Sequence, residues 1–147
     1  AKCHIAKAAR RSLSILAPDG PGGFMAVQTR SLVAFVHVAS VEHSIRFYAD
    51  LGFKVANTVV PEGQSVPVWA WLESEKANLM VGLASGPIDA SQQAILFYLY
   101  FNDIKQTRAT LVELGHSPDE IKYPFYMPGG ECRLEDPDGY VLMLAQI

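Results

Sequence analysis

FVHVASVEHSIRFYADLGF (residues 35–53) and YLYFNDIKQTRATLVELGH (residues 98–116) superimpose at an offset of 63 residues. Val41 falls on Ile104, Tyr48 on Leu111, Leu51 on Leu114 and Gly52 on Gly115. Self-similarity at a fixed spacing means that one supersecondary unit is used twice. Each copy opens with a β-rich run and crosses a polar N-cap candidate, Ser40 in the first and Asn102 or Asp103 in the second. It then continues with apolar residues at helical spacing. Val41, Ile45, Tyr48 and Leu51 make a buried stripe, and Gly52 and Gly115 stand where a helix needs a left-handed residue to stop.

Working outward, each helix is followed by strand candidates. These are residues 53–60, 68–73 and 79–83 in the first copy, and 121–127, 131–135 and 140–145 in the second. Asp136-Pro137-Asp138-Gly139 joins the last two as a hairpin turn, because Asp-Gly tolerates positive φ. Pro124 makes residues 121–127 an edge or irregular strand. Both copies read βαβββ, over residues 32–86 and 93–146, inside one α+β domain at 26–147.

The 147 residues suffice for one sizeable core and not for two ordinary domains. The basic, Ala- and Ser-rich residues 1–25 end in a Pro/Gly cluster and read as a peripheral N-terminal extension, either an upstream addition or a targeting peptide. The formal net charge is -3, and no basic patch follows Arg30. A nucleic-acid partner is therefore not expected. Residues 26–147 hold 14 of the 15 acidic residues, which favours cationic or neutral ligands. Cys3 and Cys132 form no CxxC pair and fit a reducing cytoplasm. No apolar run approaches the roughly 20 residues of a membrane span.

The paired modules, the helix end SIRFYADLGF and the terminal EDPDGYVLML resemble the glyoxalase/bleomycin resistance/dioxygenase (vicinal oxygen chelate) superfamily over residues 32–146. The resemblance implies a curved mixed sheet around a cavity, with helices on its outer face and homodimerisation. It also implies a divalent metal held by His or Glu from four strand positions, two per module. Those positions fall on Val33, Met80, Leu96 and Met143. None offers the carboxylate oxygen or imidazole nitrogen that a hard divalent ion requires. No cofactor is expected, and a metal would need a different strand register.

Alternation supports this register. Ala34, Val36 and Val38 make a packing face, as do Ile95, Phe97, Leu99 and Phe101. Phe35, His37, Tyr98 and Tyr100 then face the cavity, with Trp69, Trp71 and Glu73 on one strand and Glu131, Arg133 and Glu135 on another. Aromatic faces and carboxylates suit a flat molecule, neutral or cationic. The same aromatics also read as core or dimer-interface residues. His37 reads as a general base or as a satisfied core histidine. Arg133 reads as an anion clamp or as the ion-pair partner of its acidic neighbours. Cys132 faces the helices and packs, and His43 and His116 fall on a helix surface and a loop.

Three functions follow. The first is a metal-independent small-molecule-binding protein of the bleomycin resistance kind, with His37, Trp69, Trp71, Glu73, Tyr98, Tyr100, Arg133 and Glu135 as its ligand-binding set. The alternative is a glyoxalase-type lyase or extradiol-type dioxygenase with atypical ligands drawn from His37, Glu73 and Glu135. The third is a module whose cavity its own side chains fill.

Overall fold

β1 (Ala34–Val38) leads into α1 (Val41–Asp50), and β5 (Leu96–Phe101) leads into α2 (Ile104–Glu113), in a computed structural model that describes residues 29–147. The N-terminal extension at residues 1–25 lies outside the described residues. Both helices begin at their caps. The Ser40 hydroxyl accepts from the His43 amide at 3.3 Å, and the Asp103 carboxylate accepts from the Gln106 amide at 2.9 Å. Asp103 rather than Asn102 is thus the second cap, and each cap satisfies an amide that the helix leaves unpaired, worth about 1 kcal/mol. Both helices stop at the expected glycines, with φ of +88° at Gly52 and +92° at Gly115.

Behind α1 come β2 (Lys54–Val59), β3 (Trp69–Ser74) and β4 (Ala77–Leu83), in a four-stranded sheet ordered β1-β4-β3-β2. Behind α2 come β6 (Glu131–Glu135) and β7 (Val141–Gln146), in a three-stranded sheet ordered β5-β7-β6. The repeat extends to strand pairing. Parallel β1 and β4 align Phe35 with Met80, and parallel β5 and β7 align Tyr98 with Met143, each pair at the same offset of 63.

The second module lacks one expected strand. Residues 121–127 contribute an isolated bridge between Lys122 and Glu131 and no ladder. Pro124 removes an amide donor from the middle of this stretch, and Pro118 and Pro128 flank it, which together disfavour a ladder.

The packing face is as expected at Val36, Val38 and Cys132, which are buried, and at Ala34, Phe97, Leu99 and Phe101, which are partly so; Ala70, Leu72, Val81, Leu134, Leu142 and Leu144 are buried with them. One expectation fails at the edge of the repeat, where Ile95 precedes β5 and is half exposed. The repeat is also uneven at its helix ends, since Leu114 is 52% exposed where its counterpart Leu51 is 6%. α1 buries Val41, Ser44, Phe47 and Tyr48, with Ile45 only partly covered, whereas α2 buries only Ile104 and Leu111.

Leu32–Ile147 form one compact unit. The turn after β6 ties its two halves together. Asp136 Oδ1 accepts the amides of Asp138 and Tyr140 at 2.9 Å each, and Oδ2 accepts the Tyr48 hydroxyl of α1 at 3.0 Å. Asp138 Oδ1 accepts the Ala39 amide at 2.9 Å, and the Tyr140 hydroxyl donates to the His37 carbonyl at 3.1 Å. These carboxylates are buried, so the turn is a joint between the repeats as well as a hairpin.

Candidate functional site

The face opposite the core carries the candidate residues, because a strand's side chains alternate and the buried set occupies the other side. In the first module it holds Phe35 and His37 of β1, Trp69, Trp71 and Glu73 of β3, and Met80 and Gly82 of β4. Trp71 lies across from Met80, and Trp69 and His37 both lie across from Gly82. The Phe35 ring lies over Gly82, where an added Cβ would stand 2.6 Å from it. Both Trp side chains are half buried, and the Trp71 indole donates to Asn78 Oδ1 at 3.2 Å.

His37 is exposed and meets the Phe35 ring edge-on at 5.1 Å between centroids. Among the described residues no carboxylate orients its ring, so the arrangement lacks the partner that usually holds a catalytic imidazole in place. Glu73 is exposed, and Lys54 and Asn78 are its cross-strand neighbours.

The second module's face holds Leu96, Tyr98 and Tyr100 of β5, Val141, Met143 and Ala145 of β7, and Glu131, Arg133 and Glu135 of β6. Tyr98 and Tyr100 stack at 6.1 Å with 25° between their planes. Arg133 pairs with Glu135 at 2.5 Å, so in this structure it has one of its acidic neighbours as partner and Glu135 carries a counter-charge. Glu131 is buried and accepts the hydroxyls of Tyr98 at 3.3 Å and Tyr126 at 2.9 Å. Burial and the Glu131 charge push the Tyr98 hydroxyl above its ordinary pKa, and the hydrogen bond to Glu131 does the same to Tyr126.

The eight candidates thus lie as two sets on two sheets. No side-chain hydrogen bond or ring contact joins the sets among the described residues. A cavity of about 490 Å³ lies instead beside the joint, lined by Phe47, His116, Arg133, Glu135 and Asp136 among others. Of the candidates only Arg133 and Glu135 border it.

Of the four positions that the resemblance assigns to a metal, three lie on strands and one does not. Met80 lies opposite Phe35, Met143 opposite Tyr98 and Leu96 opposite Val141, while Val33 immediately precedes β1. Hydrocarbon and thioether side chains do not fit a hard divalent ion. Among the described residues no three His, Cys, Asp or Glu side chains converge as a ligand set elsewhere.

The family model described as Glyoxalase/Bleomycin resistance protein/Dioxygenase superfamily matches residues 31–144. The chain belongs to this superfamily. Solved members share its fold at low identity. A bleomycin-binding protein complexed with bleomycin superimposes with a TM-score of 0.63 at 19% identity, over 81% of this chain and 99% of that one. TnmS3, an antibiotic binding protein from Streptomyces sp. CB03234, gives 0.61 at 22% identity, over 83% and 98%. The fosfomycin resistance protein FosX from Mesorhizobium loti gives 0.64 at 11%, over 80% and 92%. No curated protein matches the chain significantly.

Sequence reasoning missed Glu131 as a buried carboxylate, Tyr126, and the contact of His116 Nε2 with Asp50 Oδ2 at 2.8 Å. Glu131 was readable as a face residue from alternation. Its burial was not, because the cover comes from residues 122–126, whose irregular course follows no period.

Proposed function

We propose that this superfamily member is a small-molecule-binding protein that sequesters a flat ligand, neutral or cationic, without a metal. The observation that carries the reading is the pair of open aromatic faces, Phe35 with Trp69 and Trp71 on one sheet and Tyr98 with Tyr100 on the other. Phe35, Tyr98 and Tyr100 are each 40% exposed or more, which costs free energy unless something covers them. The neighbouring folds that bind bleomycin and antibiotics support this class of ligand. The side chains at the four metal positions support its metal independence.

The protein works as a homodimer in this reading. β1 and β2 are edges of one sheet and β5 and β6 of the other, and a second copy would cover such open edges while leaving the aromatic faces to the ligand. Its compartment is the cytoplasm, as two widely spaced cysteines suit. No described helix is long and apolar enough to cross a membrane.

Elemental analysis of the purified protein, before and after incubation with zinc, nickel, iron and manganese, tests the reading. The expected result is no stoichiometric metal, together with quenching of Trp69 and Trp71 fluorescence by flat aromatic compounds. Stoichiometric metal would replace this reading with the lyase or dioxygenase one.

A further inference from the structure

Glu131 is the one face carboxylate that is buried, 5% exposed, and its neighbours are unusual. Arg133, two residues along the same strand, is engaged by Glu135 at 2.5 Å. Lys122 opposes Glu131 across the isolated bridge, but no ion pair joins them within 4 Å among the described residues. Two phenols are what Glu131 has. Tyr98 donates to Oε2 and Tyr126 to Oε1, and both rings stay exposed, at 40% and 58%.

A phenol has one proton to donate and two lone pairs to offer. With both protons committed to the carboxylate, each phenol oxygen presents only lone pairs to an incoming group. The negative charge behind them strengthens that acceptor character, since hydrogen bonds in a chain polarise one another. Phenols are protonated at neutral pH in any case, and the hydrogen bonds to Glu131 are what commit those protons. Around them stand π-faces. Tyr100 stacks on Tyr98, and Phe125, 96% exposed, meets Tyr126 edge-on at 5.4 Å. Acceptor oxygens, aromatic faces and an unmatched charge together select a cation with N–H donors in a plane.

We infer that Tyr98, Tyr126 and Glu131 form a subsite for a planar cationic group, an aromatic amidinium or a ring-borne protonated amine. This deepens the binding-protein reading and rests on it. Glu131 acts as a positioning residue through the two phenols, and the phenols make the contact. A competing role is a latch in which the carboxylate only holds residues 122–126 against the sheet. The latch predicts a change in stability and no selectivity for charge.

The test uses the full chain and three isosteric probes, cationic benzamidine, neutral benzamide and anionic benzoate. Binding is followed at the ring resonances of Tyr98 and Tyr126, assigned with Tyr98→Phe and Tyr126→Phe, and in parallel by tryptophan fluorescence. Benzamidine is expected to bind about tenfold or more tighter than benzamide, a difference of about 1.4 kcal/mol. Benzoate is expected to be weakest. Glu131→Gln should bring benzamidine down to the benzamide level and leave benzamide unchanged. Tyr126→Phe keeps an exposed ring, so the fold is not at risk, and it should weaken benzamidine several-fold. Equal binding of benzamidine and benzamide, or a preference that survives Glu131→Gln, would overturn the subsite. Tryptophan quenching by flat compounds without any tyrosine response would overturn the subsite and leave the broader reading standing. Tyrosine shifts without tryptophan quenching would uphold the subsite and remove the first module's face from the broader reading.

Discussion

The two modules share a register and differ in everything their register leaves free. At the offset of 63 residues, Phe35, His37 and Gly82 of the first module correspond to Tyr98, Tyr100 and Ala145 of the second. Gly82 leaves room for Phe35 to lie across the sheet, and Trp69 comes within 3.7 Å of the same spot. Ala145 fills that space in the second module, and there the tyrosines stack on each other. The packing face changes in volume, with Ala34, Val36 and Val38 corresponding to Phe97, Leu99 and Phe101, but burial keeps it apolar in both modules. The open face changes in chemistry. One repeat has become an indole and hydrocarbon surface, the other a surface of phenols around a carboxylate.

Breaking the joint between the modules should have the largest effect. Asp136→Ala leaves the amides of Asp138 and Tyr140 and the Tyr48 hydroxyl without their acceptor, and each stranded donor costs about 1–3 kcal/mol. We expect a loss of about 3 kcal/mol or more in chemical denaturation, with both modules unfolding in one transition. Two separated transitions would show that the modules are stable without the joint. Asp136 also has a sign with pH. Burial, outweighing the three hydrogen bonds it accepts, holds its carboxyl above the usual 3.8. The native state therefore keeps this proton where the unfolded chain has released it. Its contribution is fully present below the unfolded pKa and is lost as pH rises through the folded one. Asp136→Asn should flatten that part of the pH profile of thermal stability.

The joint also shows what the sequence makes legible. The hairpin turn at residues 136–139 could be read from Asp-Gly, the caps and glycine stops from neighbours a few residues away, and the alignment of the two modules from the repeat. The partners of Asp136 and Asp138 in the other module depend on how the halves pack, which no local pattern encodes. The same division runs through the site. Alternation put His37, Trp69, Trp71, Tyr98 and Tyr100 on the open faces. It left unknown that Arg133 would choose Glu135 over Glu131, a matter of rotamers and a few tenths of a kcal/mol.

Gly82→Ala tests whether the first module's face depends on its glycine. The new Cβ would stand 2.6 Å and 2.9 Å from two atoms at the tip of the Phe35 ring. That ring is 45% exposed and can swing away, so the stability cost should stay below about 1 kcal/mol. Displacing Phe35 should nonetheless alter the environment of Trp69, visible as a shift in emission and a several-fold change in affinity for flat ligands. Ala145→Gly is the reciprocal change and should cost about 1–2 kcal/mol, through the backbone freedom a glycine adds in a strand and the loss of a fully buried methyl group. If both substitutions left ligand affinity unchanged, the divergence between the faces would have no bearing on binding.

Arg133→Ala should have the smallest effect on stability and a directed effect on charge. Its ion pair with Glu135 is exposed on both sides, 43% and 51%, so its removal should change stability by no more than about 0.5 kcal/mol. The variant leaves Glu135 without its partner on the face that already carries Glu131, so the second module gains a second uncompensated charge. Benzamidine affinity should rise modestly in the variant at low ionic strength, and the gain should vanish as salt screens the exposed carboxylate. The part of the affinity that depends on Glu131 should resist salt, because that carboxylate is buried. A salt titration of wild type and variant therefore separates the two charges. If all of the cation preference were lost to salt in both proteins, the second module's face would differ from the first only in surface charge, and the buried carboxylate would have no part in what it selects.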